Sequence, residues 1–338
     1  MLQFILASTF FLAFSAELFA QSAAVIEAAK KEGGKVVAYG SLESEAFDAV
    51  KAGFEKKTGL QLEYWRASGT KTMERAVSEY RSGKPLYDAI LLNANVARLV
   101  AKEGILAKYD SPSAAQFPKE AIDPVLGPSY RNVIIGVIYN KAMLSPADAP
   151  KALEDLARPQ FKGKIAMPDP GQHVTTTQWL ANLGKVIGKE KAENLITSLA
   201  GQKPILVESF IPSAERVTGG EVPLAITYVI YAYTYAQKGA PVDYVRLGKM
   251  MGDGHYALLS NKSPRPNGGK AFIDYLLGEE SARILAKMGE FVNRKGIYPP
   301  LPDAEKIQFV PMDDFSIKEY ADKRKEFSKV VLAIMAIQ

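Results

Sequence analysis

The spacing of apolar residues along the chain alternates between the two-residue repeat of strands and the repeat of amphipathic helices. Lys35 to Tyr39 is a short strand-like run. From Glu43 to Lys57, helical spacing separates Phe47, Val50 and Phe54. The same reasoning predicts further strands at Leu60–Trp65, Tyr87–Leu92, Val133–Tyr139, Lys164–Met167, Ile205–Val207 and Leu224–Tyr228. Further helices are predicted at Lys71–Arg81, Thr175–Ile187, Gly269–Leu277 and Glu279–Met288. This alternation predicts an α/β fold of mostly parallel sheets flanked by helices.

The first twenty residues are almost wholly apolar, and Glu17 is the one charged side chain among them. The run is too short for a comfortable membrane span, and it ends in the small residue Ala20 before a polar sequence. These features predict a signal peptide at 1–20, cleaved near Ala20, and a protein that works outside the cytoplasm. Leu18 is not small and the segment has no Lys or Arg, which leaves an uncleaved anchor as the alternative.

Composition narrows the function classes. There is no cysteine among the 338 residues, so the fold needs no disulfide and carries no lipoprotein anchor. The net charge of +5 is spread over helix faces such as Lys30-Lys31, without a basic stripe interleaved with aromatic residues. We therefore expect no nucleic-acid partner. After residue 20 no segment approaches about 18 uninterrupted apolar residues, so we expect a soluble mature protein.

Motifs that would indicate an enzyme are missing from the sequence. It has no Gly-x-Ser-x-Gly, His-Glu-x-x-His or phosphate-binding Gly-x-x-x-x-Gly-Lys-Ser/Thr motif, and its two histidines are His173 and His255. The sequence thus gives no support for an enzymatic function. A secreted hydrolase using a serine or a pair of carboxylates is the alternative from another class.

Three segments carry a resemblance to a known family. They are Gly136–Lys141, then Leu153–Leu156 followed by Phe161–Pro170, and finally Pro264–Phe272 with Gly278–Gly289. In order and spacing they resemble type II periplasmic binding proteins, the solute-binding components of ABC importers. The branch they resemble includes the ferric-iron, thiamine, putrescine and phosphonate binders.

The resemblance implies two α/β lobes with a ligand cleft between them. It places the first lobe at 21–130, the second at 131–246, and a return to the first lobe with C-terminal helices at 247–338. The chain would cross between lobes in the strand ending at Tyr139-Asn140 and again near Val242 to Leu247. It further implies a periplasmic monomer without a cofactor, which delivers a small solute to an inner-membrane ABC permease.

Ligands of open α/β sheets bind at the carboxyl ends of strands, where helix N-termini present their amides. The strand-to-helix loops give the candidate ligand-binding residues Tyr39, Ser41, Arg66, Ser68, Thr70, Asn93, Gln172, Thr175, Glu208, Tyr228 and Tyr231. Arg66 is suited to pair with a carboxylate or phosphonate, and Glu208 with an amine. For the serines and threonines, N-capping of their own helices is an equal alternative.

The tyrosines bear on the ligand class. Within the resemblance, ferric-iron binders use two adjacent tyrosines here and a histidine in the first loop. In this chain Tyr231 is followed by Ala232, and Tyr39-Gly40-Ser41-Leu42 contains no histidine. We therefore expect an organic anion or zwitterion and no bound metal, with ferric iron held by tyrosines as the alternative. Packing against the core is the expected role of Tyr233 or Tyr235.

Overall fold

The computed structural model describes residues 23–313 and 315–335. The predicted signal peptide, 1–20, lies outside the described residues. The chain forms two compact units, each assembled from separate segments. The described part of unit 1 is 23–132, Gly254–Met288 and Val292–Ile297, and that of unit 2 is Val133–Asp253, Gly289–Phe291 and 298–335.

Strands and helices alternate along most of the chain. The strands are β1 (Lys35–Gly40), β2 (Gln61–Arg66), β3 (Ala89–Asn93), β4 (Leu106–Ala107), β5 (Ile122–Asp123), β6 (Gly127–Asn140), β7 (Ile165–Pro168), β8 (Ile205–Val207), β9 (Leu224–Tyr228), β10 (Val242–Tyr244), β11 (Lys249–Ser260), β12 (Phe291–Val292) and β13 (Gln308–Pro311). The helices are α1 (23–31), α2 (Ser44–Thr58), α3 (Gly69–Arg81), α4 (Ala94–Lys102), α5 (Val174–Asn182), α6 (Gly184–Ile187), α7 (Lys189–Gly201), α8 (Phe210–Thr218), α9 (Ile230–Ala236), α10 (Pro266–Leu276), α11 (Glu279–Lys287) and α12 (Ile317–Met335).

Unit 1 contains a sheet with the strand order β2-β1-β3-β11. β1 pairs in parallel with β2 and β3, and the second half of β11 pairs antiparallel with β3. Helix α2 buries the predicted apolar residues Phe47, Val50 and Phe54 completely. It ends at Gly59, whose φ of 72° lets its amide bond back to the carbonyl of Glu55. The predicted amphipathic helix is therefore confirmed in both its buried face and its end.

A buried carboxylate joins the separated segments of unit 1. Asp88 has no exposed surface, and its Oδ2 accepts the amide of Val37 in β1 at 2.8 Å and Nε of Arg265 at 2.9 Å. Its Oδ1 accepts the hydroxyl of Ser263 at 2.7 Å. Burial raises the pKa of Asp88, against the opposing effect of these hydrogen bonds. The contacts fix the start of α10 against β1 and β3.

Unit 2 contains the strand order β6-β9-β7-β8, with β10 on the other side of β6. β7 pairs in parallel with β8 and β9, whereas β6 runs antiparallel to β9 and β10. Helix α12 packs on α5 and α7, where Phe327 is only 3% exposed. The sheets of both units are thus mixed where the long strands β6 and β11 join them, and parallel elsewhere.

The course of the chain between the units differs in part from the prediction. The first passage lies in β6, between Asn132 and Val133. The second lies in β11 after Asp253, not at 242–247, where β10 pairs with β6 inside unit 2. The sequence does not predict the strand β11, because glycines interrupt its run of apolar residues. At Gly252 an added Cβ would stand 2.5 Å from the carbonyl oxygen of Val133, so close backbone approach requires glycine.

Two further predictions need correction. Residues from 298 onward belong to unit 2, although the sequence placed 247–338 with the first lobe. The predicted helix at 175–187 is two helices, α5 and α6, which meet at Leu183. Among residues 23–313 and 315–335, no helix combines the length and apolar character needed to cross a bilayer.

The Asp88 contacts lead to a stability prediction. Asp88→Asn removes the counter-charge of the partly exposed Arg265 and leaves an amide at the fully buried position 88, so we expect a loss of about 3 kcal/mol in the free energy of unfolding. Urea denaturation measures this quantity. Asp48→Asn, on the exposed side of α2, serves as the control and should be neutral. Equal stability of the two variants would contradict a central role for Asp88.

Candidate functional site

The carboxyl ends of β2, β1 and β3 form one polar edge of unit 1, here called the polar edge. In the strand register Gly40 lies beside Arg66 on one side and Leu91 on the other. The predicted site residues at this edge are Ser41, Arg66, Ser68, Thr70 and Asn93. A Cβ added to Gly69 would stand 3.5 Å from Oδ1 of Asn93, so the β2–α3 and β3–α4 loops are neighbours. The fold thus places residues with hydroxyl, amide and guanidinium side chains at the same edge of the sheet.

The polar edge combines exposed and half-buried side chains. Arg66, Ser68 and Thr70 are exposed, whereas Ser41 and Asn93 are half-buried. Ser68 is the N-cap of α3 and accepts the amide of Lys71 through a long bond of 3.4 Å. Ser41 lies outside the cap of α2, because Glu43 holds that position. Capping therefore accounts for Ser68 but not for Ser41.

Tyr39 is a correction to the predicted site. It is 3% exposed, and its hydroxyl donates to Glu79 at 3.0 Å. The guanidinium of Arg75 lies 4.5 Å from its ring centre and 4.3 Å from that of Trp65. Burial, and after it the Glu79 carboxylate, raises the pKa of Tyr39 to about 12. Tyr39 is therefore part of the packing that supports the polar edge.

A buried charged group lies on β6 in unit 1. The Arg131 side chain is 2% exposed and pairs at 3.0 Å with Glu43, whose side chain is 60% exposed. His255 on β11 is opposite Asn93 in the strand register. Burial, with the charge of Arg131 as a second cause, lowers the pKa of His255 well below its usual value. His255 is thus held neutral beside Asn93, at the carboxyl end of β3.

The carboxyl ends of β9, β7 and β8 form a corresponding edge of unit 2. Exposed or half-buried at this edge are the predicted site residues Gln172, Thr175, Glu208, Tyr228 and Tyr231. The turn after β7 is ordered by Asp169, whose Oδ1 accepts the amide of Gly171 at 2.7 Å. Its Oδ2 accepts the side-chain amide of Gln172 at 3.0 Å. The turn thus sets the direction of Gln172.

Aromatic rings follow one another along the unit 2 edge. His173 meets Phe210 edge-on with 4.9 Å between ring centres, and Phe210 lies 4.4 Å from Tyr228. Tyr228 is 5.8 Å from Tyr231, which is 6.0 Å from Tyr235. We call these five residues the aromatic chain. Phe210 is 2% exposed and supports its half-buried neighbours on either side.

The remaining tyrosine of this region has a packing role. Tyr233 lies against Gly289, where an added Cβ would stand 2.6 Å from its ring. Ala232 is 2% exposed, so the residue after Tyr231 faces the core. Tyr233 therefore packs against unit 2, whereas Tyr231 belongs to the aromatic chain.

The sequence does not indicate His173 as a site residue, because no partner lies near it in the chain. In the structure its Nδ1 accepts the amide of Thr176 at 3.3 Å as the N-cap of α5. Nδ1 also lies 2.8 Å from Oγ1 of Thr176. Burial lowers the pKa of His173, which favours the neutral ring. The sequence signal that could have identified His173 is the Asp169-Pro170-Gly171 turn before α5.

The comparisons with known proteins agree with this architecture. The model of a family described as bacterial extracellular solute-binding protein matches residues 35–289, about three quarters of the sequence. The chain belongs to this family. The predicted resemblance is therefore confirmed, and with it a binding protein of the kind that serves ABC importers. The family is one of solute-binding proteins.

Individual relatives are distant but span nearly the whole solute-binding protein. An Fe(3+)-binding periplasmic protein of Serratia marcescens is 24% identical, covering 98% of this chain and 95% of its own. The periplasmic binding protein AfuA of Actinobacillus pleuropneumoniae, solved with fructose-6-phosphate, has a TM-score of 0.67 at 20% identity, covering 90% and 99% of the two chains. Trichodesmium IdiA (FutA), solved with iron and citrate, has a TM-score of 0.68 at 18% identity, covering 89% and 99%. These structures establish a common fold.

The neutral state of His255 leads to a prediction about acid stability. Its folded pKa lies below the unfolded value near 6.5, so the unfolded chain binds more protons as pH falls. The stabilisation is complete above this value and is lost on acidification, by up to about 1.4 kcal/mol per pH unit. Urea unfolding of the wild type between about pH 7.5 and 5.5 should show this slope, and His255→Gln should reduce it. An unchanged slope in the variant would show that another group causes the acid sensitivity.

Proposed function

We propose that this solute-binding protein captures a small organic anion or zwitterion and delivers it to an inner-membrane ABC permease. The observation that carries the ligand class is the polar edge of unit 1. Arg66 shares this edge with Ser41, Ser68, Thr70 and Asn93, and we propose that their guanidinium, hydroxyl and amide groups bind the ligand together. Donors of these kinds are suited to carboxylate, phosphate or phosphonate oxygens.

The unit 2 edge is proposed as a second ligand-contacting surface. Tyr228 and Tyr231 present half-buried rings that suit the carbon skeleton of an organic solute. Glu208 is exposed at the end of β8 and suits an amine, which would make the ligand a zwitterion. Gln172 and Thr175 add an amide and a hydroxyl. AfuA, whose solved ligand is fructose-6-phosphate, gives a precedent in this fold for a solute that is both organic and anionic.

The family and the first residues together support a periplasmic setting. The relatives are periplasmic proteins, which supports export to the periplasm with cleavage near Ala20. We propose that the mature protein acts as a monomer, without a cofactor and without a catalytic step.

Ferric iron is the second candidate, because the Serratia relative binds Fe(3+) and the Trichodesmium protein was solved with iron and citrate. In this chain the tyrosines form a ring-to-ring series through Tyr228, Tyr231 and Tyr235. Ala232, at the position after Tyr231, is buried and offers no oxygen. We therefore place iron second to an organic anion.

The anion proposal predicts a large effect of one arginine. A thermal-shift screen of carboxylates, phosphonates, sugar phosphates and amino acids should yield a stabilising compound. For that compound Arg66→Ala should weaken binding by about 1.5–3 kcal/mol in calorimetry, because it removes a charge-assisted hydrogen bond. Arg283→Ala, which removes an exposed guanidinium from α11, is the matched control. Equal affinity of both variants and the wild type would assign Arg66 to the solvated surface.

The metal question has its own spectroscopic test. Phenolate-to-iron charge transfer would colour the protein, so we expect a colourless preparation that gains no visible band when ferric citrate is added. A band that disappears on chelation, and that Tyr228→Phe weakens, would instead establish the ferric-iron alternative. Tyr298→Phe, which alters an exposed tyrosine, controls for nonspecific iron binding.

A further inference from the structure

The turn between β7 and α5 is held by the last described helix. Nε of Arg324 in α12 donates to the carbonyl oxygen of Gly171 at 3.0 Å. A methyl group added to Gly171 would collide with Oγ of Ser328, one helical turn further along α12. The helix and the turn are therefore in direct contact, and a side chain at this glycine would have to displace the Ser328 hydroxyl.

The same C-terminal segment holds α5 along its length. The carbonyl of Asp313 accepts the side-chain amides of Gln178 at 3.0 Å and Asn182 at 3.3 Å, and its amide donates to Asn182 at 2.8 Å. Phe327 is buried among apolar residues that include Leu180 of α5. Helix α5 thus has little freedom to shift relative to α12.

The position of Gly171 determines where the next two residues lie. The amides of Gln172 and His173 both donate to the carbonyl of Asp169, at 3.0 and 2.7 Å. The Asp169 carboxylate binds the amide of Gly171 and the side chain of Gln172. A shift of the Gly171 carbonyl would therefore redirect Gln172 and His173 together.

We propose that Arg324 is a positioning residue for ligand binding, acting from α12 through the carbonyl of Gly171 on the turn that carries Gln172 and His173. This inference rests on the proposed function, which assigns the turn to the ligand-contacting edge of unit 2. Arg324 follows Gly171 by 153 residues in the sequence. Arg324 has a defined structural target and no role in contacting the ligand itself.

The first test needs no ligand. Hydrogen exchange of the full-length protein is compared for the wild type, Arg324→Met, which keeps the length and removes the donors, and Arg324→Lys, which keeps a donor. We expect the amides of residues 171–173 to exchange about tenfold faster in the methionine variant, as the loss of one hydrogen bond of ordinary strength implies. The lysine variant should restore most of the protection. Lys325→Met, at the exposed neighbouring position, should exchange like the wild type.

Two results of this experiment would overturn the proposal. Unchanged exchange at 171–173 in Arg324→Met would show that the bond to Gly171 does not hold the turn. Loss of protection throughout α12 in that variant would show that Arg324 docks the helix and not the turn.

Two glycine variants test the contact between α12 and the turn independently. Gly171→Ala should accelerate exchange at the turn, whereas Gly201→Ala, in open space at the end of α7, should not.

The second test uses citrate and inorganic phosphate as probes in calorimetry. A probe that binds the wild type should bind Arg324→Met about tenfold more weakly, and Arg324→Lys and Lys325→Met almost normally. Equal affinity for all four proteins would overturn the positioning role. If neither probe binds the wild type, that result counts against the anion proposal alone, and the exchange experiment decides the role of Arg324.

Discussion

A buried carboxylate, Asp88, determines how the segments of unit 1 fit together. Its oxygens accept hydrogen bonds from β1 and from the start of α10, where Arg265 supplies the compensating charge. A carboxylate without exposed surface is tolerated only when it is paired and hydrogen-bonded in this way. The strands β1 and β3, which Asp88 helps to align, lead to Ser41 and Asn93 at the polar edge. The geometry of the polar edge therefore depends on a contact nearer the starts of these strands.

Most helices and strands could be predicted from the sequence, because short buried strands and amphipathic helices have distinctive spacings of apolar residues. The strands at Ile205–Val207 and Leu224–Tyr228 have the predicted bounds, and α2 has its predicted buried face. The position of the second passage between units, in β11, could not be predicted from the sequence. Gly252 and Gly254 read as turn residues in a sequence, whereas in β11 a glycine permits close approach to β6. The membership of α12 in unit 2 depends on its packing against α5 and α7, which lie far from it in the chain, so no local pattern encodes it.

The candidate site was predictable to the level of loops. Placing polar residues at strand ends identified both edges, because parallel strands bring their carboxyl ends together. Individual side chains were harder to assign. Tyr39 follows the same pattern as its neighbours but bonds to Glu79 on α3, and His173 acquires a role from Thr176 and Phe210. Such assignments depend on side-chain direction, which hydrophobic periodicity does not encode for polar residues.

The discontinuity of both units has a consequence for the order in which the chain can fold. Arg265 follows Asp88 by 177 residues, and unit 2 needs Phe327 to complete the packing around α5. Neither unit can therefore reach its final packing until most of the chain has been made. Contacts of such long range form slowly, because a large loop must close before they contribute. This topology therefore keeps the polypeptide extended for longer before either unit becomes compact.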